Sequence, residues 1–148
     1  MLDFFMPCIP PKTTSQQKRA ARMATGIRFF KSGKQQDAEN LLYSLLLPHK
    51  PDAPYGPGPL TLTIECTWPF RASDLSSKAK REYCESVERI PCTEKPDMDN
   101  AVKAIQDSLA SLRFITDDKA VAELIGRKFF GVNPGIRIVI QEMDSGKR

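Results

Sequence analysis

Leu60, Leu62, Ile64, Cys66 and Trp68 alternate with Thr61, Thr63, Glu65 and Thr67. Period two with one apolar and one polar side predicts a strand half buried in a sheet. A strand this regular needs neighbours along its edges and a layer over its apolar side. The rest of the chain must therefore supply further strands and at least one packed helix.

It holds candidates for both. Phe4 to Ile9 is short and apolar and runs into Pro10-Pro11, which predicts a buried or edge strand stopping at the prolines. Val121 to Phe130 is a further strand. Ile136, Ile138 and Ile140 alternate with Arg137, Val139 and Gln141 after the turn Asn133-Pro134-Gly135, giving a last strand. Phe29 and Phe30 fit another short strand. Lys34 to Leu47 predicts a helix, since Leu41, Leu42, Leu45 and Leu46 line one face and Pro48 ends it. Residues 51–59, rich in Pro and Gly, form a loop. Ser76 to Ser86 fits a short helix, and 144–148 a frayed tail. The order predicts an α+β fold: one domain over residues 1–148, with a mixed β-sheet and two main helices packed on it.

The charge is unevenly placed. The formal net charge is +4, from 22 Lys and Arg against 18 Asp and Glu. Between Phe4 and Gln36 there is no acidic residue, while Lys12, Lys18, Arg19, Arg22, Arg28, Lys31 and Lys34 are basic. Residues 10–36 thus form a basic arm, either simply solvated or laid along phosphates. Cys8, Cys66, Cys84 and Cys92 form no C-x-x-C pair and His49 is the sole histidine, which argues against a structural zinc site. No signal-peptide pattern and no membrane-length apolar run is present, so the expectation is a soluble cytoplasmic protein.

The chemistry is concentrated around a second helix, Met98 to Leu112. Val102, Ile105, Leu109 and Leu112 share one arc at about 100° per residue, a core stripe. Asp99, Asn100, Lys103 and Asp107 share an arc on nearly the opposite side. Asp99 or Asn100 is placed to cap the helix. Such an arrangement by itself often marks only a solvated face, with Asp99–Lys103 and Lys103–Asp107 as ordinary i, i+4 pairs. Here, however, Asp97 and Asp99 precede the face and Asp117-Asp118 follows it. If the chain folds back, the four acids converge, and converging carboxylates repel unless a cation lies between them. With oxygen ligands alone, that cation is Mg²⁺, with Mn²⁺ as a substitute. A metal so held suits phosphodiester chemistry, with Lys103 placed for a phosphate oxygen.

The run Lys95-Pro96-Asp97-Met98-Asp99-Asn100, then Lys103-Ala104, Asp107-Ser108-Leu109, Asp117-Asp118 and Lys128, resembles the RusA family of Holliday junction resolvases. The resemblance is carried from Leu60 onward, with a weaker match at Pro10-Pro11-Lys12. It implies a homodimer that nicks four-way DNA in pairs using Mg²⁺, in recombination and repair, and a phage or prophage type of member. It places the catalytic acids on Asp97, Asp99 and Asp118, all three as metal ligands, and the essential lysine on Lys103. Asp107 and Asp117 take supporting places. Ser111-Leu112-Arg113-Phe114-Ile115 departs from the family's more usual Gly- or Asn-containing turn.

Two rival readings differ in class. One is a protein that binds branched DNA without cutting it, its acids serving only structure. The other is an enzyme of Mg–nucleotide chemistry, for which the chain lacks a Gly-rich phosphate loop.

Overall fold

A computed structural model describes residues 1–12, 18–31 and 33–146. In chain order the elements are β1 Leu2–Pro7, β2 Lys18–Met23, β3 Gly26–Lys31, α1 Gly33–Leu46, β4 Leu60–Pro69, α2 Lys78–Val87, β5 Arg89–Pro91, α3 Met98–Ser111, β6 Val121–Gly131 and β7 Gly135–Glu142. Five strands form a mixed sheet in the order β1-β7-β4-β6-β5, and β2 and β3 form a separate two-stranded sheet. The fold is α+β, as expected.

The alternating strand sits at the centre. β4 pairs with β7 antiparallel and with β6 parallel. A parallel pair needs a crossover, and α3 lies within the connection that returns the chain from β4 to β6. Leu60, Leu62, Ile64, Cys66 and Trp68 are all buried, and so are Ile136, Ile138 and Ile140 of β7. Leu42 and Leu46 of α1 join Val102, Ile105 and Leu109 of α3 over this side of the sheet. Both alternation and helical stripe thus land in one core. α2 is a third helix, begun by Ser77, whose side chain accepts from the Lys80 amide; it buries only Cys84.

Several boundaries differ from expectation. The first strand is Leu2–Pro7 rather than Phe4–Ile9, since its partners on β7 run from Ile140 back to Gly135 and then give out. It is an edge strand with Phe4 and Met6 buried. Pro10 is buried beyond it, and its carbonyl accepts from the Trp68 indole N–H at 2.8 Å. The basic arm contains a hairpin: Lys18 pairs with Lys31 and Met23 with Gly26, and Gly26 takes φ +125° at the turn, which favours glycine. Residues 13–17, within the arm, lie outside those described, as do 147–148 of the expected tail. β5 was not anticipated, and its three residues are too short for any period to show.

The loop over residues 51–59 is stitched to the chain after α3. The Tyr55 amide donates to the Phe114 carbonyl at 2.8 Å, and the Thr116 amide returns a bond to the Tyr55 carbonyl at 2.9 Å. All four cysteines are free thiols; Cys66 is buried in the sheet, and desolvation pushes its thiol up to about 12. Among the described residues no helix is long and apolar enough to cross a membrane.

Candidate active site

The acid-bearing turn is built by three constraints. The extended Asp97 backbone stands at the N-cap of α3, and its carbonyl accepts the Ala101 amide at 3.0 Å. The cap position therefore falls on Asp97, not on Asp99 or Asn100, and its side chain makes no capping bond. Pro96 keeps the helix from reaching further back, because proline disfavours helix in the residue before it. Next, α3 closes on β6 at Gly126. A Cβ there would stand 2.8 Å from Met98 Sδ and 2.9 Å from Val102 Cγ2, so glycine lets the helix approach. Finally, the segment before Asp97 is tied down. Lys128 Nζ donates to the Glu94 carbonyl at 2.6 Å and to the Pro96 carbonyl at 2.7 Å. The Glu94 carboxylate accepts from Arg71 at 2.6 Å, and the Arg71 guanidinium lies 4.5 Å over the Phe130 ring.

The exposed side of α3 carries the expected groups. Ala101, Val102, Ile105, Ser108 and Leu109 are buried, while Asp97, Asp99 and Lys103 are exposed. Lys103 Nζ donates to Asp107 Oδ1 at 3.0 Å, whereas no ion pair joins Lys103 to Asp99. Among the described residues, no ion pair holds either Asp97 or Asp99. Beside them, Asn100 Oδ1 is buried without a hydrogen-bond partner.

The second acid pair stands elsewhere. Asp117 caps a 3₁₀ turn over Asp118–Ala120, its carboxylate accepting from the Lys119 amide at 3.1 Å. That bond, then a hydrogen bond shared with Asp118, holds the Asp117 carboxyl below the ordinary carboxylate range. Among the described residues no three His, Cys, Asp or Glu side chains are grouped to hold a metal. The anticipated convergence of Asp97, Asp99 and Asp118 is thus not formed within one copy. Asp97 and Asp99 stand at the start of α3, while Asp118 lies on the short turn that leads into β6 at Val121.

The pair by itself still fits a hard cation. Mg²⁺ is often held by one or two carboxylates while waters and substrate phosphates fill its other positions. Asp97 and Asp99 are exposed and uncommitted, and the orphaned Asn100 oxygen adds a donor of the same kind.

Two features escaped the sequence reading. Lys128 was legible only as part of a resemblance, although a lysine sharing β6 with Leu124, Gly126 and Phe130 on the core-facing register was a signal. Glu65 is the other: it is buried on the opposite side of the sheet, where Arg127 donates at 2.7 Å and Arg89 at 3.4 Å.

Comparison with known proteins matches residues 9–141 to the family model described as "Endodeoxyribonuclease RusA". The chain is also 34% identical over 88 residues to a Bacillus subtilis (strain 168) protein whose name reads "Uncharacterized protein YqaN". That alignment takes in 60% of this chain and 61% of the relative's length. With the family match extending over β4, the acid-bearing turn, α3 and β6, the chain belongs to the RusA endodeoxyribonuclease family.

Proposed function

We propose that the protein is a Mg²⁺-dependent endonuclease that resolves four-way DNA junctions by paired nicks, acting as a homodimer on cytoplasmic DNA during recombination and repair. The observation that carries this reading is the exposed, uncommitted pair Asp97 and Asp99 at the start of α3, on a chain of the RusA family. Asp97 and Asp99 would hold the cation, with Asn100 Oδ1 beside them. Asp118 is kept as the third acid on the resemblance. When bound, Mg²⁺, or Mn²⁺ in its place, supplies an acidified water and charge to offset the leaving oxygen.

The chain's own groups do the rest. Lys103 stands one helical turn beyond Asp99 on the same side, where an ammonium holds a non-bridging phosphate oxygen and offsets charge that develops on it. Asp107 orients that ammonium through the 3.0 Å bond. The hairpin within the basic arm brings cations to the DNA backbone. Two symmetric nicks ask for two sites about a two-fold axis, which a closed pair of copies supplies.

The test is a nicking assay on a synthetic four-way junction with and without Mg²⁺, with products mapped on all strands, alongside light scattering at micromolar concentration. Paired, symmetric, metal-dependent nicks from a dimer are expected. Junction binding without nicks in either Mg²⁺ or Mn²⁺ would favour the non-catalytic binder instead. A monomer that still makes paired nicks would remove the dimer.

A further inference from the structure

Lys128 is out of place by pattern. Its register partner on β4 is Cys66, so it lies on the side of the sheet that carries the core, between Gly126 and Phe130. A lysine there is not sustained by an ion pair: among the described residues none engages it. Its ammonium is instead spent on two backbone carbonyls, those of Glu94 and Pro96. A neutral side chain could fill the space, but none could give two such short charge-assisted bonds from one atom.

The two carbonyls flank Lys95 and stand just before Asp97. The Glu94 carbonyl has one more contact, weak, from the Cys92 thiol at 3.8 Å, and the Glu94 side chain is held by Arg71. On the other side of Asp97, Met98 and Val102 close on Gly126, two residues from Lys128 along β6. Sheet and acid turn are therefore pinned at two adjacent points of one strand, Gly126 by close approach and Lys128 by hydrogen bonds. The first amides of α3 have no helical acceptor to steady them. Just ahead of them, the chain is held to β6 by Lys128.

We propose that Lys128 is a positioning residue for the metal-binding acids: its bonds to the Glu94 and Pro96 carbonyls fix the turn so that Asp97 and Asp99 meet the cation in one geometry. This rests on the reading of Asp97 and Asp99 as ligands.

The test uses the whole protein and Mn²⁺ as the probe. Lys128→Met, Lys128→Arg and Ile140→Val are compared with the parent. Ile140 is a buried residue of β7 remote from the acid turn, so Ile140→Val controls for lost stability. Three quantities are read: the Mn²⁺ midpoint from direct binding, the exchange rate of the Ala101 amide without metal, and junction affinity without metal. Lys128→Met should raise the Mn²⁺ midpoint by about tenfold or more, the usual loss when a group orienting a metal ligand is removed. It should speed Ala101 exchange and leave junction affinity unchanged. Lys128→Arg, with charge and donors kept but the nitrogen displaced, should fall between, and it stands in if Lys128→Met does not fold. A parent-like midpoint, or a shift matched by Ile140→Val, overturns the proposal. These readouts do not depend on cleavage, so a parent that binds Mn²⁺ but never nicks refutes the nuclease reading and leaves Lys128 to be judged on its own.

Discussion

Lys103 Nζ lies 3.0 Å from Asp107 Oδ1, one turn along the exposed side of α3, and makes no ion pair with Asp99. The lysine is thus steadied from its far side, leaving the side toward the acids open. Lys103→Ala should stop cleavage without loss of Mn²⁺ binding. Asp107→Asn removes only an exposed i, i+4 pair, worth about 0.3–0.5 kcal/mol, and should slow nicking only about twofold. Single-turnover rates on one junction check both. Equal loss in the two variants would mean that Asp107 does more than orient the lysine.

Asp99→Asn keeps the size of the side chain at the start of α3, so the fold should survive. Cleavage should fall by about 100-fold or more, the scale seen when a group stabilising the transition state is lost. Junction binding should persist or tighten, because a carboxylate facing phosphates has become neutral. Asp118→Asn is the informative companion. If it also abolishes nicking with Mn²⁺ binding weakened, the acid reaches the pair only in the assembled complex, since one copy does not gather the three. Near-normal nicking by Asp99→Asn would remove the site assignment.

The hairpin Lys18–Met23 and Gly26–Lys31 carries basic residues on both strands and no acid. Replacing Lys18, Arg19 and Arg22 together should weaken binding to junction and duplex alike. The slope of log affinity against log salt should fall by about 0.9 for each phosphate that is no longer neutralised on duplex DNA. Titrations at several salt concentrations measure this. An unchanged slope would return the arm to a merely solvated role.

Glu65 predicts an acid limb in stability. Burial raises its carboxyl pKa, but the hydrogen bond from Arg127 and the charges of Arg89 and Arg127 outweigh that, and the net shift is downward. A carboxylate depressed on folding stabilises the protein above its unfolded pKa, and that contribution is lost as pH falls through the lower folded value. Stability should therefore decline below the ordinary carboxylate range, and Glu65→Gln should flatten that decline. At neutral pH the variant should cost about 1–3 kcal/mol, less than a fully buried pair because the guanidiniums are about half exposed. Urea unfolding across pH measures both effects.

The sequence by itself determined the elements whose pattern repeats often enough to be read. The alternation from Leu60 to Trp68 became the central strand, and the stripe Val102, Ile105 and Leu109 became the buried side of α3, leaving Asp99 and Lys103 outside. These were legible because burial is periodic in each, and the period belongs to the backbone geometry. The acids, too, could be named in advance, since exposed carboxylates at a helix start are a local feature.

Tertiary structure decided what depends on partners distant in sequence. β5 exists because Arg89–Pro91 finds the end of β6, and three residues show no period of their own. The strand boundary at Pro7 follows from where β7 ends. Glu65 became a buried ion cluster only when β4, β5, β6 and β7 brought Arg89, Arg127 and Arg137 beside it. Where the acid-bearing first turn of α3 meets the sheet was likewise set by how the helix docks on β6. A helix fixes the spacing along its own axis, but only packing fixes which part of the sheet its first turn meets. That contact is governed by Gly126 and Lys128, more than twenty residues beyond the turn they hold.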